Sequence, residues 1–409
     1  MRIDAGFQKI RLSKIVEVSE LARQIAPEVE KRTGKPFVYF QRGEVGAPPP
    51  PFLTQGLTEA IAQGNTKYPK SGGEPAFKQA VAEMVSREDR VAIEPGQLIA
   101  TMGGQEGLQL VFSLLRGGRC AGFTPCWSCM FDNIFPFTQT TFVPVPLIAE
   151  QGWAIDFALL EKTLPGVDTF YMNSPHNPTG RVFTAAEIER IHALCEKHGV
   201  LLVADEAYRD LVYQGEHVSA LRFDKNGTVV SVNTFSKSMA ATGFRVGYTI
   251  SKRKELIEHL TRGEYTQTAG VPTPLQHAFA KALRHPELAT WRAGYRAEMV
   301  VRREALVANL DERFGATAPQ GAFYCFVDLR PFGEGWSDGR RAEKEATDRL
   351  LERGIAVVPG SAFGETFAGY ARLSFSTLTG PAVADGAKRF GEALLARDRR
   401  PEAVGAGRA

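Results

Sequence analysis

Between Thr169 and Ala204 the chain reads apolar run, turn-forming loop, amphipathic helix, apolar run, and few folds accommodate that order. Thr169–Met172 and Val200–Ala204 are short and apolar enough to be buried strands. Between them Thr184 and Glu187 form a capping box, Ile188, Ile191 and Leu194 give the helix one apolar face, and Gly199 ends it. Strand, helix, strand at this spacing is a βαβ crossover, which predicts an α/β fold with a mostly parallel sheet covered by helices. In such sheets ligands bind beyond the carboxyl ends of the strands. The residues just past each strand are therefore where chemistry is expected.

Five segments put chemistry there. Val229–Val232 leads to Thr234, Ser236, Lys237 and Ser238, and then to Arg245 between Gly243 and Gly247. A lysine just past a buried strand loses its proton more readily than a solvated one and becomes an amine nucleophile. Hydroxyls and an arginine beside it suit a phosphate dianion. Together they suggest a phosphate-bearing carbonyl cofactor held as a Schiff base; the alternative is a solvated lysine in a Ser/Thr loop. The strand Gln97–Thr101 runs through Met102-Gly103-Gly104-Gln105 into a helix with Leu108, Val111, Phe112 and Leu115 on one side. That arrangement points free N–H groups and the positive dipole end at a phosphate, although a glycine pair also serves a tight turn. Arg119–Phe123 brings Trp127 to the same edge, either to stack on a flat ring or to fill the core. Thr169–Met172 opens into the turn-rich loop Asn173–Gly180, which carries Asn177, and Val200–Ala204 ends on Asp205-Glu206-Ala207-Tyr208. A buried carboxylate at Asp205 would keep a ring nitrogen protonated, and a protonated pyridine is an electron sink.

Composition narrows the alternatives. A formal net charge of +3 over 409 residues does not imply a nucleic-acid partner. No stretch approaches the ~20 apolar residues of a membrane span, and the first residues lack a signal-peptide core. Five cysteines, an odd number in a long chain, argue for reduced thiols and a cytoplasmic setting. Cys126 and Cys129 have C-x-x-C spacing without a second pair, and His192, Cys195 and His198 diverge around one helix, so no metal is expected.

The remaining pattern divides the chain. An N-terminal helix at Ile15–Lys31 and a short strand at Phe37–Phe40 precede Pro48–Pro51, expected to be a stiff extended crossing. A helix at Thr54–Gln63 leads to an exposed turn, Lys67–Gly73, with Tyr68 in it. After a long helix at Glu287–Phe314 come a strand at Gly321–Tyr324, a helix at Lys344–Arg353, strands at Ile355–Val358 and Ala371–Ser376, and a helix at Val383–Ala396. The expected units are 1–47, joining the small domain; 48–286, the large cofactor-binding domain; 287–396, a small domain able to close as a lid; and 397–409, a frayed tail.

With these motifs the chain resembles the pyridoxal-phosphate (pyridoxal 5'-phosphate) enzymes of fold type I, specifically the class I/II aminotransferases. The matching segments are Gly103-Gly104-Gln105, Asn-Ser-Pro-His-Asn-Pro-Thr-Gly at 173–180, Asp-Glu-Ala-Tyr at 205–208, Thr-Phe-Ser-Lys at 234–237, Gly-Phe-Arg-Val-Gly at 243–247 and Tyr-Ala-Arg-Leu-Ser-Phe at 370–375. The resemblance implies that Lys237 forms the internal aldimine and Asp205 pairs with the pyridine nitrogen. It implies that Asn177 and Tyr208 bond the phenolic oxygen and that Trp127 stacks on the ring. Phosphate would be held at Gly103, Gly104 and Gln105 and by Thr234, Ser236 and Arg245. Tyr68 would reach the phosphate of a neighbouring subunit in a homodimer, while Arg372 would grip the substrate α-carboxylate with Gly43 close by. The implied activity is transfer of an amino group between an L-amino acid and a 2-oxo acid. The same scaffold also carries C–S and other β/γ-eliminating lyases and cyclases. A non-catalytic regulator would need an added DNA-binding module, for which there is no spare segment, and no G-x-G-x-x-G supports a dinucleotide enzyme.

Overall fold

The computed structural model describes residues 3–332 and 338–395; the expected tail at 397–409 and Ala396 lie outside the described residues. In chain order the described strands are β1 (Val38–Tyr39), β2 (Leu98–Thr101), β3 (Arg119–Thr124), β4 (Thr141–Pro146), β5 (Thr169–Asn173), β6 (Leu201–Asp205), β7 (Val229–Thr234), β8 (Gly247–Ile250), β9 (Tyr324–Asp328), β10 (Ile355–Ala356), β11 (Val358–Pro359) and β12 (Tyr370–Ser374). Seven form one sheet in the order β2-β8-β7-β6-β5-β3-β4. Only β8 runs against its neighbours β2 and β7; the other pairs are parallel.

The crossover from β5 through the helix Ala185–Lys197 to β6 is as the sequence pattern requires, with the reciprocal Thr184–Glu187 cap in place. Except for Leu201 at its start, every residue of β5, β6 and β7 is buried. Helices cover both faces, so these strands carry continuous apolar runs in place of alternation. β4 was not expected. Its Pro144 and Pro146 break a strand pattern, and the sheet edge is where prolines are tolerated.

The four-proline run differs from expectation at its end. Pro51 opens the helix Pro51–Ala62, because a first-turn residue needs no N–H partner and proline's fixed φ suits that place. The long helix closes at Asn309, where Leu310 turns extended and Asp311 caps a separate short turn over Glu312–Phe314. The apolar run at Ile355–Val358 splits: β10 pairs parallel with β1, whereas β11 joins β12 and β9 in a small antiparallel sheet.

The N-terminal segment touches the stretch after β3 and the β1–β10 pair. Arg11 N–H donates to the Asp132 carbonyl at 2.9 Å, Asn133 Nδ2 donates to the Arg11 carbonyl at 2.8 Å, and the Ser13 and Ser128 hydroxyls lie 3.2 Å apart. The helix Lys14–Thr33 then carries Ala22, Ala26 and Val29 onto Phe37 and Ala356, beside the β1–β10 pair.

Candidate active site

β7 ends at Thr234, and one helical turn, Phe235–Ser238, sets the direction of Lys237. Thr234 Oγ1 accepts from the Ser236 N–H at 3.1 Å and donates to Ser236 Oγ at 2.9 Å, so both hydroxyls are held at the strand end. Lys237 Nζ donates to the Gly43 carbonyl at 2.6 Å. A Cβ at Gly43 would stand 3.1 Å from the Tyr324 hydroxyl, so a side chain there would have to displace that hydroxyl. Burial lowers the Lys237 pKa to about 8; the Arg372 and Arg245 charges push the same way, while Glu44 opposes. Near neutral pH this amine is within reach of its nucleophilic form.

Asp205, at the end of β6, lies beside Asn173 in the ladder. Its Oδ2 accepts from the Tyr171 hydroxyl at 2.7 Å and its Oδ1 from the Ala207 N–H at 3.2 Å. Burial raises its pKa to about 6 against the opposing pull of those two bonds. Glu206 plays a separate part. Its oxygens accept from Ser219, Ser231 and the Ala220 N–H, binding β7 to the loop that follows β6. Tyr171 was missed in the sequence, where a tyrosine inside an apolar strand reads as core. The prediction follows that Tyr171→Phe raises the Asp205 pKa and moves the acidic limb of the kcat profile to higher pH. The expected loss at pH 6 is a few-fold to about ten-fold, and an unshifted limb would show that this hydroxyl does not tune the acid.

Arg372 is fully buried on β12. Its Nη1 donates to Asn177 Oδ1 at 3.2 Å and its Nη2 to the Gln41 carbonyl at 2.9 Å, while Nε has no partner. The guanidinium lies over the Tyr324 ring, 4.2 Å from its centroid, and also faces Phe363. Among the described residues no carboxylate pairs with it. Asn177 is held by its own N–H, which donates to Asn173 Oδ1 at 2.7 Å. The Tyr208 hydroxyl lies 3.0 Å from that of Tyr324, a second residue not singled out in the sequence.

A cradle for an anion completes the site. The helix Gly103–Leu114 starts at Met102 without a side-chain cap, leaving first-turn N–H groups of Gly104 and Gln105 for another acceptor. Gly103 has φ +78°, and a Cβ there would meet Arg245 Nη2 at 3.0 Å; the arginine packs against the glycine. Thr234 lies against Gly104 from the other side. Trp127 is half-buried beside the apolar cluster that contains Cys126 and Tyr171. Tyr68 stands apart: it is 91% exposed, facing solvent and not its own chain's cradle.

Lys237, Gly43, Asn177, Arg372, Tyr208 and Tyr324 are thus joined by direct contacts, with Asp205 held by Tyr171 and Thr234, Ser236, Gly103, Gly104, Gln105 and Arg245 around the helix start. All five cysteines are free. Among the described residues no three His, Cys, Asp or Glu side chains cluster as metal ligands, and no helix is long and apolar enough to cross a membrane.

The family model for class I and II aminotransferases matches residues 39–390. The chain is 31% identical to an aspartate/prephenate aminotransferase of Thermus thermophilus over 375 residues, covering 90% of this chain and 93% of that protein. It is 30% identical to an arginine–pyruvate transaminase of Pseudomonas aeruginosa, over 83% of this chain and 86% of the other. Its fold superposes on the structure of the Thermus thermophilus aspartate aminotransferase with maleate at a TM-score of 0.86 and 30% identity, over 96% of this chain and 100% of that one. Family model, relatives and fold show that the chain belongs to the class I and II aminotransferases, pyridoxal-phosphate enzymes that pass an amino group between an amino acid and a 2-oxo acid.

Proposed function

We propose that Lys237 is the residue that carries the cofactor and moves the substrate proton, that Arg372 holds the substrate α-carboxylate, and that the active unit is a cytoplasmic homodimer. The observation that carries this reading is the buried Arg372 guanidinium, unpaired with any described carboxylate, bonded to Asn177 and linked through the Gln41 carbonyl to the segment bearing Gly43, the partner of Lys237. A buried charge without a counter-ion costs several kcal/mol, so a fold keeps one where a ligand supplies the counter-charge.

The residues present fit pyridoxal phosphate. The uncapped helix start, Arg245 and the Thr234 and Ser236 hydroxyls suit its phosphate, Asp205 its ring nitrogen, Asn177 and Tyr208 its phenolic oxygen, and Trp127 its face. When bound, the cofactor supplies an electron sink that makes the substrate Cα–H acidic. The chain's own residues do the rest. Arg372 grips the carboxylate in a two-bonded fork and so fixes which Cα bond stands perpendicular to the ring. Lys237 Nζ, when not bonded to the cofactor, would serve as the base that takes the Cα proton and as the acid that gives it back. Asp205, fastened by Tyr171, keeps the ring nitrogen charged throughout.

The exposed Tyr68 is assigned to the phosphate of the neighbouring subunit, which supports the dimer. The domain division proposed is 1–47 with the small domain, 48–286 as the large domain, 287–396 as the small domain and 397–409 as a tail, with residues 3–13 reaching across to the large one. Ser13, Ser128 and Cys129 form an uncharged wall, the thiol standing within electrostatic reach of Arg372 and Lys237. Relatives are named for aspartate, prephenate and arginine, so the side-chain preference is put to a panel of acidic, basic, aromatic and small neutral amino acids. Conversion of the cofactor to its amine form with one keto acid released per site is the expected result. Release of ammonia, pyruvate or thiol with the cofactor returned to its aldehyde form would replace transamination by elimination.

A further inference from the structure

Behind the phosphate cradle lies a pair of acids that the reaction does not use. Glu106, one turn into the helix Gly103–Leu114, reaches back: its Oε2 accepts from the Met102 N–H at 2.6 Å, and its Oε1 accepts from Thr268 Oγ1 at 3.0 Å. Thr268 ends the helix Lys254–Thr268, and one turn earlier on that helix is Glu264, 0% exposed. Glu264 Oε2 accepts from the Gly72 N–H at 3.4 Å, and its Oε1 has no partner.

Gly72 belongs to the loop that presents Tyr68, and its carbonyl accepts from the Ala100 N–H at 3.0 Å, two residues before Met102. The loop is fastened at other points as well. Thr273 Oγ1 donates to the Lys67 carbonyl at 2.6 Å, the Glu74 N–H donates to Gln276 Oε1 at 2.6 Å, and the Pro69 ring packs against Gly270. The tyrosine offered to the neighbour and the turn that receives phosphate in the same chain are therefore tied directly by the Ala100–Gly72 bond and by a second route through Glu264, Thr268 and Glu106.

We propose that Glu264 and Glu106, joined through Thr268, carry one negative charge between them at neutral pH, and that this state fastens the Tyr68 loop to the phosphate-binding turn. Glu264 is thus a positioning residue for the cofactor phosphate, and a second ionisation in the pair weakens its hold. The proposal rests on the reading of residues 103–105 and Arg245 as the phosphate site. Two observations make one charge the stable state. Neither acid is in an ion pair among the described residues, and Thr268 joins them, its hydroxyl donating to Glu106 Oε1 and lying 3.4 Å from the Glu264 carbonyl. Arg262 and Tyr265 on its own helix are exposed, as are Lys67, Tyr68 and Lys70 on the loop, Glu74 accepts from the Lys70 N–H, and β2 carries no titratable side chain. Burial raises the Glu264 pKa to about 7, the Glu106 charge adding to it against the Gly72 N–H. Glu106 is raised less far, by burial opposed by Met102 and Thr268. As pH climbs through 7, Glu264 becomes the second anion behind the cradle.

The test uses full-length apoprotein and pyridoxine 5'-phosphate, which has the ring and phosphate but no aldehyde, so Lys237 chemistry does not enter. Its Kd is measured between pH 6.5 and 8.5. In the wild type the affinity is expected to fall with rising pH about three- to ten-fold further than in Glu264→Gln. In Glu106→Gln the falling limb is expected at lower pH, because removing the neighbouring charge eases ionisation of Glu264. This variant also serves should Glu264→Gln not fold. Equal pH slopes in wild type and both variants would overturn the pairing. Arg245→Ala separates the two readings: unchanged affinity there rejects the phosphate site itself, whereas a loss there with equal slopes elsewhere rejects only the acid pair.

Discussion

Replacing Lys237 with alanine is expected to lower keto-acid release at least about 10⁴-fold, the upper range for removing a positioned general acid–base. Borohydride should fix the cofactor to Lys237 in the wild type and to nothing in the variant. Lys237 Nζ sits on the carbonyl of Gly43, where an added Cβ would meet the Tyr324 hydroxyl and Arg372 Nη2, so the amine faces the place where a carboxylate would be gripped. Burial first, then the Arg372 and Arg245 charges, bring its pKa down to about 8. A group lowered in this way is cationic below that value, and only its neutral form attacks a carbonyl. Capture of pyridoxal phosphate by the apoprotein should therefore speed up about ten-fold per pH unit below 8 and level off above it. Lys237→Arg keeps a cation in place and should be as inactive as the alanine variant, which separates loss of the amine from loss of charge. Turnover near the wild-type rate in either variant would reject the assignment.

Much of this was legible because the features are local. A strand end followed by a polar cluster is a short-range pattern, and five of them fell at one edge of a parallel sheet: Gly103-Gly104, Trp127, Asn177, Asp205 and Lys237. The capping box at Thr184–Glu187 is equally local and was found intact. What escaped the sequence depends on partners far along the chain. Tyr171 matters because β5 lies beside β6, which puts its hydroxyl on Asp205. Tyr324 matters because the small antiparallel sheet lays it under Arg372 and against Tyr208. Glu264 is one polar residue in a helix until Gly72 is found on it and Thr268 links its turn to Glu106. The misplaced boundaries have a similar cause. Pro51 and the prolines of β4 are breakers by type, and only their places at a helix start and a sheet edge make them permissible.

Arg372→Ala should cost about a thousand-fold in kcat/KM for substrates with an α-carboxylate, since two charge-assisted bonds at roughly 1.5–3 kcal/mol each are lost. Amines that lack the carboxylate should react at the wild-type rate or faster. Burial pushes this guanidinium below its ordinary pKa, and the groups that offset the push are Tyr324, Tyr208 and Cys129, none of them an anion at neutral pH. Arginine nevertheless stays protonated, so the free enzyme holds a buried charge that only an incoming anion neutralises. Binding can be separated from chemistry with an α-methyl amino acid, which has no Cα–H to lose. It should raise the melting temperature of the cofactor-loaded wild type and leave that of Arg372→Ala unmoved. Arg372→Lys should recover little, because a single ammonium cannot reproduce the planar fork that also keeps Asn177 and the Gln41 carbonyl in place. An equal thermal shift in wild type and alanine variant would mean that the substrate carboxylate is held elsewhere, and the buried charge would then be left without a ligand to account for it.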